Sequence, residues 1–458
     1  MSRMVAKNRI VHTVFLFSMM ILFASEVSIC ETASFPKAYS SYTIDFPAYE
    51  SPFNSIPSGW PSMEQSLNIT AASFQTIHHV FGRLVNPYRG DWKGFWGGMA
   101  FVGLDISVTA LPPFDAWLHE EFHRAVMGRY GISSFNDVYY FRPLATTISV
   151  SHVNDEDLIA LKRDHPADMV RLPAAGIEGQ SQLVLNLEKA AFFDNVAQYH
   201  GFTYLYSYLN SYFYVASGPT HSSDTLTDEM NQKESTIKER DFVGHDFTSW
   251  VYDLFRPDEP YEARGLHPSG TGINRYRKAS DLTSDEKRFL SLQGNLQLLN
   301  LIDPIIWRID HWPLDGEGGK INGTLQHYLT SFGYTVNANI FLKTGDKSLF
   351  FTILNYHNKK LSLPGLSVEL RKYRLGSNGF LPNAVSVRLG IWEQPAHQRF
   401  DDKHSKLGGL GRVTLFFPVF KRTDAYFEVE KKSPGWVAGS PYLGENATGR
   451  LGVSILMF

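Results

Sequence analysis

Apolar and polar residues alternate with a period of two over the last third of the chain. The segments 334–343 and 385–391, for example, carry an apolar side chain at nearly every second position. This alternation is typical of β-strands that bury one face. Turn sequences such as Asn378-Gly379 separate the segments and are typical of hairpins. The pattern predicts an antiparallel β-domain of about eight strands over residues 323–458.

The segment from Asp115 to Gly128 shows the spacing of an amphipathic helix instead. Two prolines at positions 112 and 113 end the preceding segment, Asp115 stands where an N-cap is expected, and Gly128 supplies a stop. The apolar stripe consists of Trp117, Leu118, Phe122, Val126 and Met127. We therefore predict a helix here with one buried face.

A second helix is predicted within residues 166–192, beginning near Pro173. The small residues that follow it permit the close approach of another backbone; they are Ala174, Ala175, Gly176 and Gly179. Residues 198–217 are rich in aromatic side chains and predict a further helix or a pair of strands. These segments form the predicted helical domain, residues 91–217.

The rest of the chain divides by composition. Residues 1–30 predict a signal peptide, because basic residues precede an apolar run too short to span a membrane. Residues 31–90 predict an extended lead-in with little periodicity. Residues 218–322 are polar and charged and predict a solvated linker or insertion with a connecting segment.

Composition narrows the classes of function. The formal net charge of −3 and the lack of a basic run argue against a nucleic-acid partner. The single cysteine, Cys30, excludes an internal disulfide. Together with the signal peptide, these features predict an exported protein.

One motif indicates chemistry: residues 119–123 read H-E-x-x-H. On a helix, positions i and i+4 lie on one face, so His119 and His123 can bind one Zn²⁺ while Glu120 acts as general base. The alternative is a pair of histidines on an amphipathic helix without a metal. The charged neighbours Glu121 and Arg124 are expected to face solvent or to pair with each other.

With this motif the chain resembles the zincin-type zinc metalloproteases. Their gluzincin branch takes a glutamate from a downstream helix as third ligand, and the resemblance implies that Glu178 has this role. It also implies hydrolysis of peptide bonds in a peptide or protein substrate. Without a metal, Glu178 would be a solvent-facing carboxylate at a helix end.

A weaker similarity links the segment HEEFHRAVMGRYGI to site-2-type zinc proteases. In those enzymes the aspartate of a later Leu-Asp-Gly sequence is the third ligand, which makes Asp315 the alternative to Glu178. That family also needs several membrane helices, and no later segment of the chain is long and apolar enough to supply them.

The C-terminal strand, which ends in Phe458, resembles the last strand of bacterial outer-membrane β-barrels. The resemblance implies that the β-domain is a membrane barrel, with the polar loop from Gln394 to Lys406 on its outer side. A soluble β-sandwich would show the same alternation, and would place the protein in the periplasm.

The sequence as a whole predicts an α+β protein, with a helical metal-site domain followed by the β-domain. The predicted function is that of an exported, zinc-dependent metallopeptidase anchored in or at the outer membrane. The alternatives are a non-enzymatic outer-membrane barrel with an incidental or structural metal site, and a membrane protease of the site-2 type.

Overall fold

The fold is known from a computed structural model that describes residues 42–55, 60–85, 92–140, 148–194, 201–234, 236–307, 309–314, 318–376 and 381–457. The predicted signal peptide, the alternative ligand Asp315 and the terminal Phe458 lie outside these residues. The predictions that concern them therefore stay predictions.

The helices lie in the first two thirds of the chain. They are α1 (Met63–Val85), α2 (Trp92–Val108), α3 (Asp115–Gly128), α4 (Asp155–Asp164), α5 (Pro166–Asp194), α6 (Gly201–Ser217), α7 (His221–Lys233), α8 (Asp246–Phe255) and α9 (Ser284–Leu296). None of the described helices is long and apolar enough to cross a membrane.

The strands form one large sheet and one two-stranded sheet, β3 (Phe135–Asn136) with β4 (Val150–Ser151). The large sheet contains β1 (Tyr42–Ser51), β2 (Asn54–Ser55), β5 (Trp312–Pro313), β6 (Lys320–Thr330), β7 (Gly333–Thr344), β8 (Lys347–His357), β9 (Ser362–Arg374), β10 (Ala384–Pro395), β11 (Ser405–Phe420), β12 (Thr423–Lys432) and β13 (Asn446–Met457). Its order is β2-β1-β13-β12-β11-β10-β9-β8-β7-β6-β5, and all its pairs are antiparallel.

The α+β class is confirmed, and the eight strands β6 to β13 follow one another as the alternation predicts. The predicted membrane barrel is wrong, because the pairing of the described strands begins at β2 and ends at β5 without joining these two ends. The sheet is open. It also recruits β1 from the N-terminal part of the chain, which pairs with β13.

The open sheet is strongly curved. Nζ of Lys372 in β9 lies 2.9 Å from Oδ1 of Asp45 in β1, although the two strands are five positions apart in the sheet order. A flat sheet would separate them by about 24 Å. The side on which these two side chains meet is therefore concave, and we call it the inner face.

The inner face encloses helix α5. Gln326 of β6 donates to the carbonyl of Ser181, and Lys189 of α5 pairs with Glu369 of β9 at 2.8 Å. Buried polar side chains line this face, among them Asn339, Thr352, Glu428, Glu430 and Arg450. The opposite, outer face carries exposed apolar side chains, among them Ile353, Leu366, Leu389, Ile391, Val413, Phe427 and Leu451.

Helix α5 also packs against α3, as its small residues predict. A Cβ atom on Gly179 would lie 2.8 Å from the Phe122 ring, so only a glycine allows the two helices to come this close. The helix begins at Pro166 rather than near Pro173, which lies inside it. Its burial on nearly every side follows from its position between α3 and the sheet.

Two of the predicted divisions contain more regular secondary structure than the sequence indicated. The described part of the lead-in 31–90 contains strand β1 and the 23-residue helix α1. The predicted linker or insertion, residues 218–322, contains three helices among its described residues and packs against the rest of the protein. Some of its charges are buried in ion pairs, such as that of Asp253 with Lys162 of α4 at 2.9 Å, whereas others, such as that of Arg288, are exposed.

Candidate metal centre

The two histidines of the motif lie on one face of α3. Their ring centroids are 4.8 Å apart, as the i, i+4 spacing predicts. The helix begins at Asp115, but Asp115 is not its N-cap: Phe114 holds that position without a side-chain hydrogen bond. The carboxylate of Asp115 instead accepts a hydrogen bond from Gln180 on α5 at 2.5 Å.

Asp246, the first residue of α8, completes the group. Its Oδ2 lies 3.2 Å from Nε2 of His119 and 3.6 Å from Nε2 of His123. The three ligand atoms lie within 4.8 Å of one another. Two imidazole nitrogens and one carboxylate oxygen at such distances can hold a metal ion.

The loop before α8 fixes Asp246 in this place. The carboxylate of Asp241 accepts hydrogen bonds from the backbone N–H groups of Phe242 and Gly244, at 2.8 and 2.9 Å. Gly244 has a φ of 77°, and a Cβ there would lie 2.7 Å from the ring of Tyr276. A glycine is therefore required for the turn that leads into the helix.

The Nδ1 atom of each imidazole lies near an oxygen atom of a neighbouring residue. Nδ1 of His123 lies 2.7 Å from the carbonyl oxygen of Leu172, which can only accept, so Nδ1 carries the proton. Nδ1 of His119 lies 3.4 Å from Oε1 of Gln180. Both Nε2 atoms are thereby turned towards Asp246. Such support of the far nitrogen is usual for metal-ligating histidines.

One nitrogen atom of the group lacks a hydrogen-bond partner, and a cation could take the place of that partner. Nε2 of His123 is buried and has no hydrogen-bond partner among the described residues. A buried nitrogen acceptor without a donor is costly, and a metal ion would satisfy it together with the adjacent carboxylate. The donor set therefore fits a divalent metal ion.

Glycine on α5 makes room for the group. A Cβ atom on Gly176 would lie 2.3 Å from Nε2 of His119, the atom that faces Asp246. Any larger residue would displace this imidazole. The backbone of α5 thus forms one wall of the site, which the small residues of this helix predicted only in general terms.

Without a metal, the group stores a proton between His119 and Asp246. Burial lowers the pKa of His119, but its hydrogen bond to Asp246 and the negative charges of Glu120 and Asp246 raise it to about 9. Burial raises the pKa of the Asp246 carboxyl group, but the charges of the two histidines and the hydrogen bond to His119 outweigh this and lower the pKa below its ordinary value. A metal ion binding here has to displace this proton.

Glu120 is buried beside the group. The residue is only 7% exposed. Burial raises the pKa of its carboxyl group, and the nearby charges of His119 and His123 lower it in part. A carboxyl group of raised pKa next to a metal site suits a general base.

The charged neighbours of the motif pair with each other. Nη1 of Arg124 lies 2.6 Å from Oε1 of Glu121, and both side chains are buried. Asn136 donates to the same carboxylate oxygen at 2.9 Å. These charges therefore face away from the group and lock α3 to the β3 segment.

The structure does not bring Glu178 into the group, and Asp246 supplies the third side chain instead. The Glu178 carboxylate is buried against Arg171, with Oε1 2.8 Å from Nη2, and accepts the backbone N–H of Gly439 at 2.8 Å. Nη2 of Arg171 also donates to Oε2 at 3.1 Å, so both oxygens of the carboxylate already have partners. The alternative ligand Asp315 lies outside the described residues.

Comparison of the chain with known family models, with curated proteins and with solved structures found no match. The predicted membership of a zincin-type metalloprotease family is therefore wrong, and so is the weaker similarity to site-2-type zinc proteases. The case for a metal site depends on the geometry of His119, His123 and Asp246 alone.

Proposed function

We propose that the protein is a metal-dependent hydrolase that cleaves amide bonds of peptides or proteins, and that its metal is zinc. The observation that carries the proposal is the convergence of His119, His123 and Asp246 beside the buried carboxyl group of Glu120. Nitrogen and oxygen donors of this kind hold zinc in catalytic sites with three protein ligands.

Zinc bound there would supply Lewis acidity to water and to a substrate carbonyl group. The residues of the chain transfer the proton and orient the metal ligands. Glu120 accepts a proton from the attacking water and returns it to the leaving nitrogen. Leu172 and Gln180 orient the imidazoles, so that the two Nε2 atoms need no rearrangement when the site is loaded.

The side chains of His119, His123 and Asp246 differ in exposure, and this difference indicates where a substrate can enter. The His119 side chain is 12% exposed, whereas those of His123 and Asp246 are 1% and 5% exposed. A substrate therefore approaches from the side of His119. The ring of Tyr214 lies on this side, with its centroid 6.2 Å from that of His119.

The test separates a catalytic from a structural metal site. Wild type and the variants Glu120→Gln and Glu156→Gln are compared for zinc content and for cleavage of a mixture of internally quenched peptides. Glu156 is exposed in the first turn of α4 and serves as the matched control. We expect Glu120→Gln to keep its zinc and to lose at least about a hundredfold in rate.

Loss of both zinc and fold in Glu120→Gln would favour the non-enzymatic alternative, in which the metal only stabilises the protein. Wild-type cleavage that survives removal of zinc by a chelator would contradict the proposal outright. The control Glu156→Gln should match wild type in both measurements.

A second proposal concerns location: we infer that the outer face of the sheet contacts a lipid membrane. Its support is a row of apolar residues across neighbouring strands, in which Ile353 faces Leu366 and Leu366 faces Ile391. These three side chains are 52%, 44% and 51% exposed. Because this face is convex, a second copy of the chain would cover only a strip of it, whereas lipid can cover all of it.

Vesicle flotation tests this second proposal. Purified protein lacking residues 1–30 should float with phosphatidylethanolamine–phosphatidylglycerol vesicles, and replacing both Leu389 and Ile391 with lysine should abolish flotation. Replacement of the exposed polar pair Lys359 and Lys360 with serine is the control. Wild-type protein that stays with the soluble fraction would refute the contact with lipid.

A further inference from the structure

A cavity of about 190 Å³ lies on the inner face of the sheet, between helices α1 and α5 and strands β9 to β13. A smaller cavity of about 60 Å³ adjoins it, and the two share Gln182, Lys189 and Arg388 among their lining residues. The ion pair of Lys372 with Asp45 lies at the mouth, where the side chains are 30% and 38% exposed. Solvent can therefore enter.

Where the two cavities meet, cations outnumber carboxylates. Glu369 is shared by Lys189 at 2.8 Å and by Arg371 at 3.6 Å. Arg388 has only the hydroxyl group of Ser367, 3.2 Å from its Nε, and no ion pair among the described residues. Lys189, Arg371 and Arg388 thus have one ion-paired carboxylate between them, Glu369. Asp45 acts on Arg371, and Glu430 on Arg388, only from a longer distance.

The other end of the larger cavity is different, because its cations are neutralised. Arg412 lies 2.6 Å from Glu430 and 3.5 Å from Glu428. Arg450 pairs with Glu50 at 3.0 Å and also with Glu428. The carboxylates at this end would repel an anion. The excess of positive charge is therefore confined to Arg388, Lys189 and Arg371.

The crowding of cations is visible in Lys189. Burial, and then the charges of Arg371 and Arg388, lower its pKa to about 8 despite the neighbouring Glu369. Like charges held together in a partly dry cavity are unfavourable. An anion between them would relieve this cost and form charge-assisted hydrogen bonds with a preformed cluster.

The smaller cavity is lined by aromatic and apolar side chains, including Phe350, Leu354, Tyr356, Trp392 and Leu410, together with polar ones such as Asn337, Asn339 and Thr352. The aromatic and apolar part of this lining favours an apolar group over water. We propose that the two cavities form a binding site for a small organic anion. Its carboxylate would lie between Arg388, Lys189 and Arg371, and its apolar part against the aromatic residues.

This site is distinct from the metal centre. Lys189 is thirteen residues after Gly176 on helix α5, which corresponds to about 20 Å along the helix. The proposal therefore does not depend on the proposed function. Ligand binding at this site can be measured without zinc and without a substrate.

Isothermal titration of the full chain, with phenylacetate, acetate and inorganic phosphate as probes, tests the site. We expect phenylacetate to bind at least about tenfold more tightly than acetate or phosphate, because only phenylacetate uses both cavities. Arg388→Gln should weaken phenylacetate about tenfold or more. Arg288→Gln is the control, since Arg288 is 79% exposed.

A second variant is expected to bind phenylacetate more tightly, a change that misfolding cannot explain. Glu369→Gln removes the carboxylate that competes for Lys189 and Arg371, and should tighten phenylacetate binding. The proposal is overturned if phenylacetate fails to bind at millimolar concentration or binds Arg388→Gln as well as wild type. Equal affinity for phenylacetate and phosphate would also overturn it, because the apolar half would then be unused.

Discussion

Nε2 of His119 and Oδ2 of Asp246 lie 3.2 Å apart although 127 positions separate the two residues in the chain. The contact joins the motif helix α3 to the first residue of α8. It also places a carboxylate at a helix N-terminus, where the helix dipole favours negative charge. Two histidines of one helix thereby become a group of three ligand atoms.

The first prediction concerns the wall of this group. Gly176→Ala should weaken zinc binding at least about tenfold, because the added methyl group would displace the His119 ring. The free energy of unfolding should fall by about 1–3 kcal/mol through overpacking. Competition with a fluorescent zinc chelator and urea denaturation provide the two measurements.

Gly103→Ala is the matched control for this prediction, because nothing lies within 4 Å of a Cβ at that position of α2. Alanine is a better helix former than glycine, so this variant should be as stable as wild type or slightly more so. Wild-type zinc affinity in Gly176→Ala would mean that the imidazole has room to move.

The second prediction separates Glu178 from the metal. Glu178→Gln should destabilise the protein by about 3–5 kcal/mol, because it leaves the buried Arg171 without its countercharge. Zinc content of the folded fraction should not change. Denaturant titration and metal analysis of the same sample decide the matter, and loss of zinc without loss of stability would restore Glu178 as a ligand.

The third prediction concerns a pair of buried carboxyl groups next to the sheet. Burial and the charge of Asp303 raise the pKa of Glu188 well above its ordinary 4.5, and burial raises that of Asp303 to about 6. The folded protein therefore holds protons that the unfolded chain has released. This contribution to stability is complete below about pH 4 and is lost as the pH rises through 6 and above.

Glu188→Gln removes the titrating carboxyl group. At about pH 8 the variant should exceed wild type in free energy of unfolding by at least about 1.4 kcal/mol, the equivalent of one pKa unit. The difference should shrink as the pH is lowered to about 4. Urea denaturation across this range measures it, with Glu156→Gln as the control, and a difference independent of pH would refute the assignment.

Residue spacing predicted those features of the fold that depend on residues close together in the sequence. The helix around the histidines, the close approach of Gly176 and Gly179 and the series of antiparallel strands all follow from residue spacing. The alternation alone is equally typical of a sandwich with an apolar core, and only the resemblance to a membrane barrel implied that the polar face, with Ser386 and Arg388, turns inward. The inner face is the polar one, since it encloses the buried charges of Glu428 and Arg450.

The third ligand could not be predicted, because its setting looked like solvent-exposed sequence. Charges in residues 218–290 suggested a linker, yet Asp253 is buried between Lys162 and Arg264. Such pairing across the chain leaves no trace in composition. The one local signal for Asp246 is the turn at Gly244 followed by an apolar helix. This signal marks where a helix begins, but it does not show which residues lie next to that point in the fold.

The central claim is that His119, His123 and Asp246 hold one metal ion. Mass-spectrometric zinc analysis tests it most directly, on wild type, Asp246→Asn and the exposed control Asp285→Asn after dialysis against buffered zinc. We predict about one zinc ion per chain in wild type and control, and a loss of affinity of more than about a hundredfold in Asp246→Asn. Undiminished zinc in the folded Asp246→Asn protein would contradict the claim.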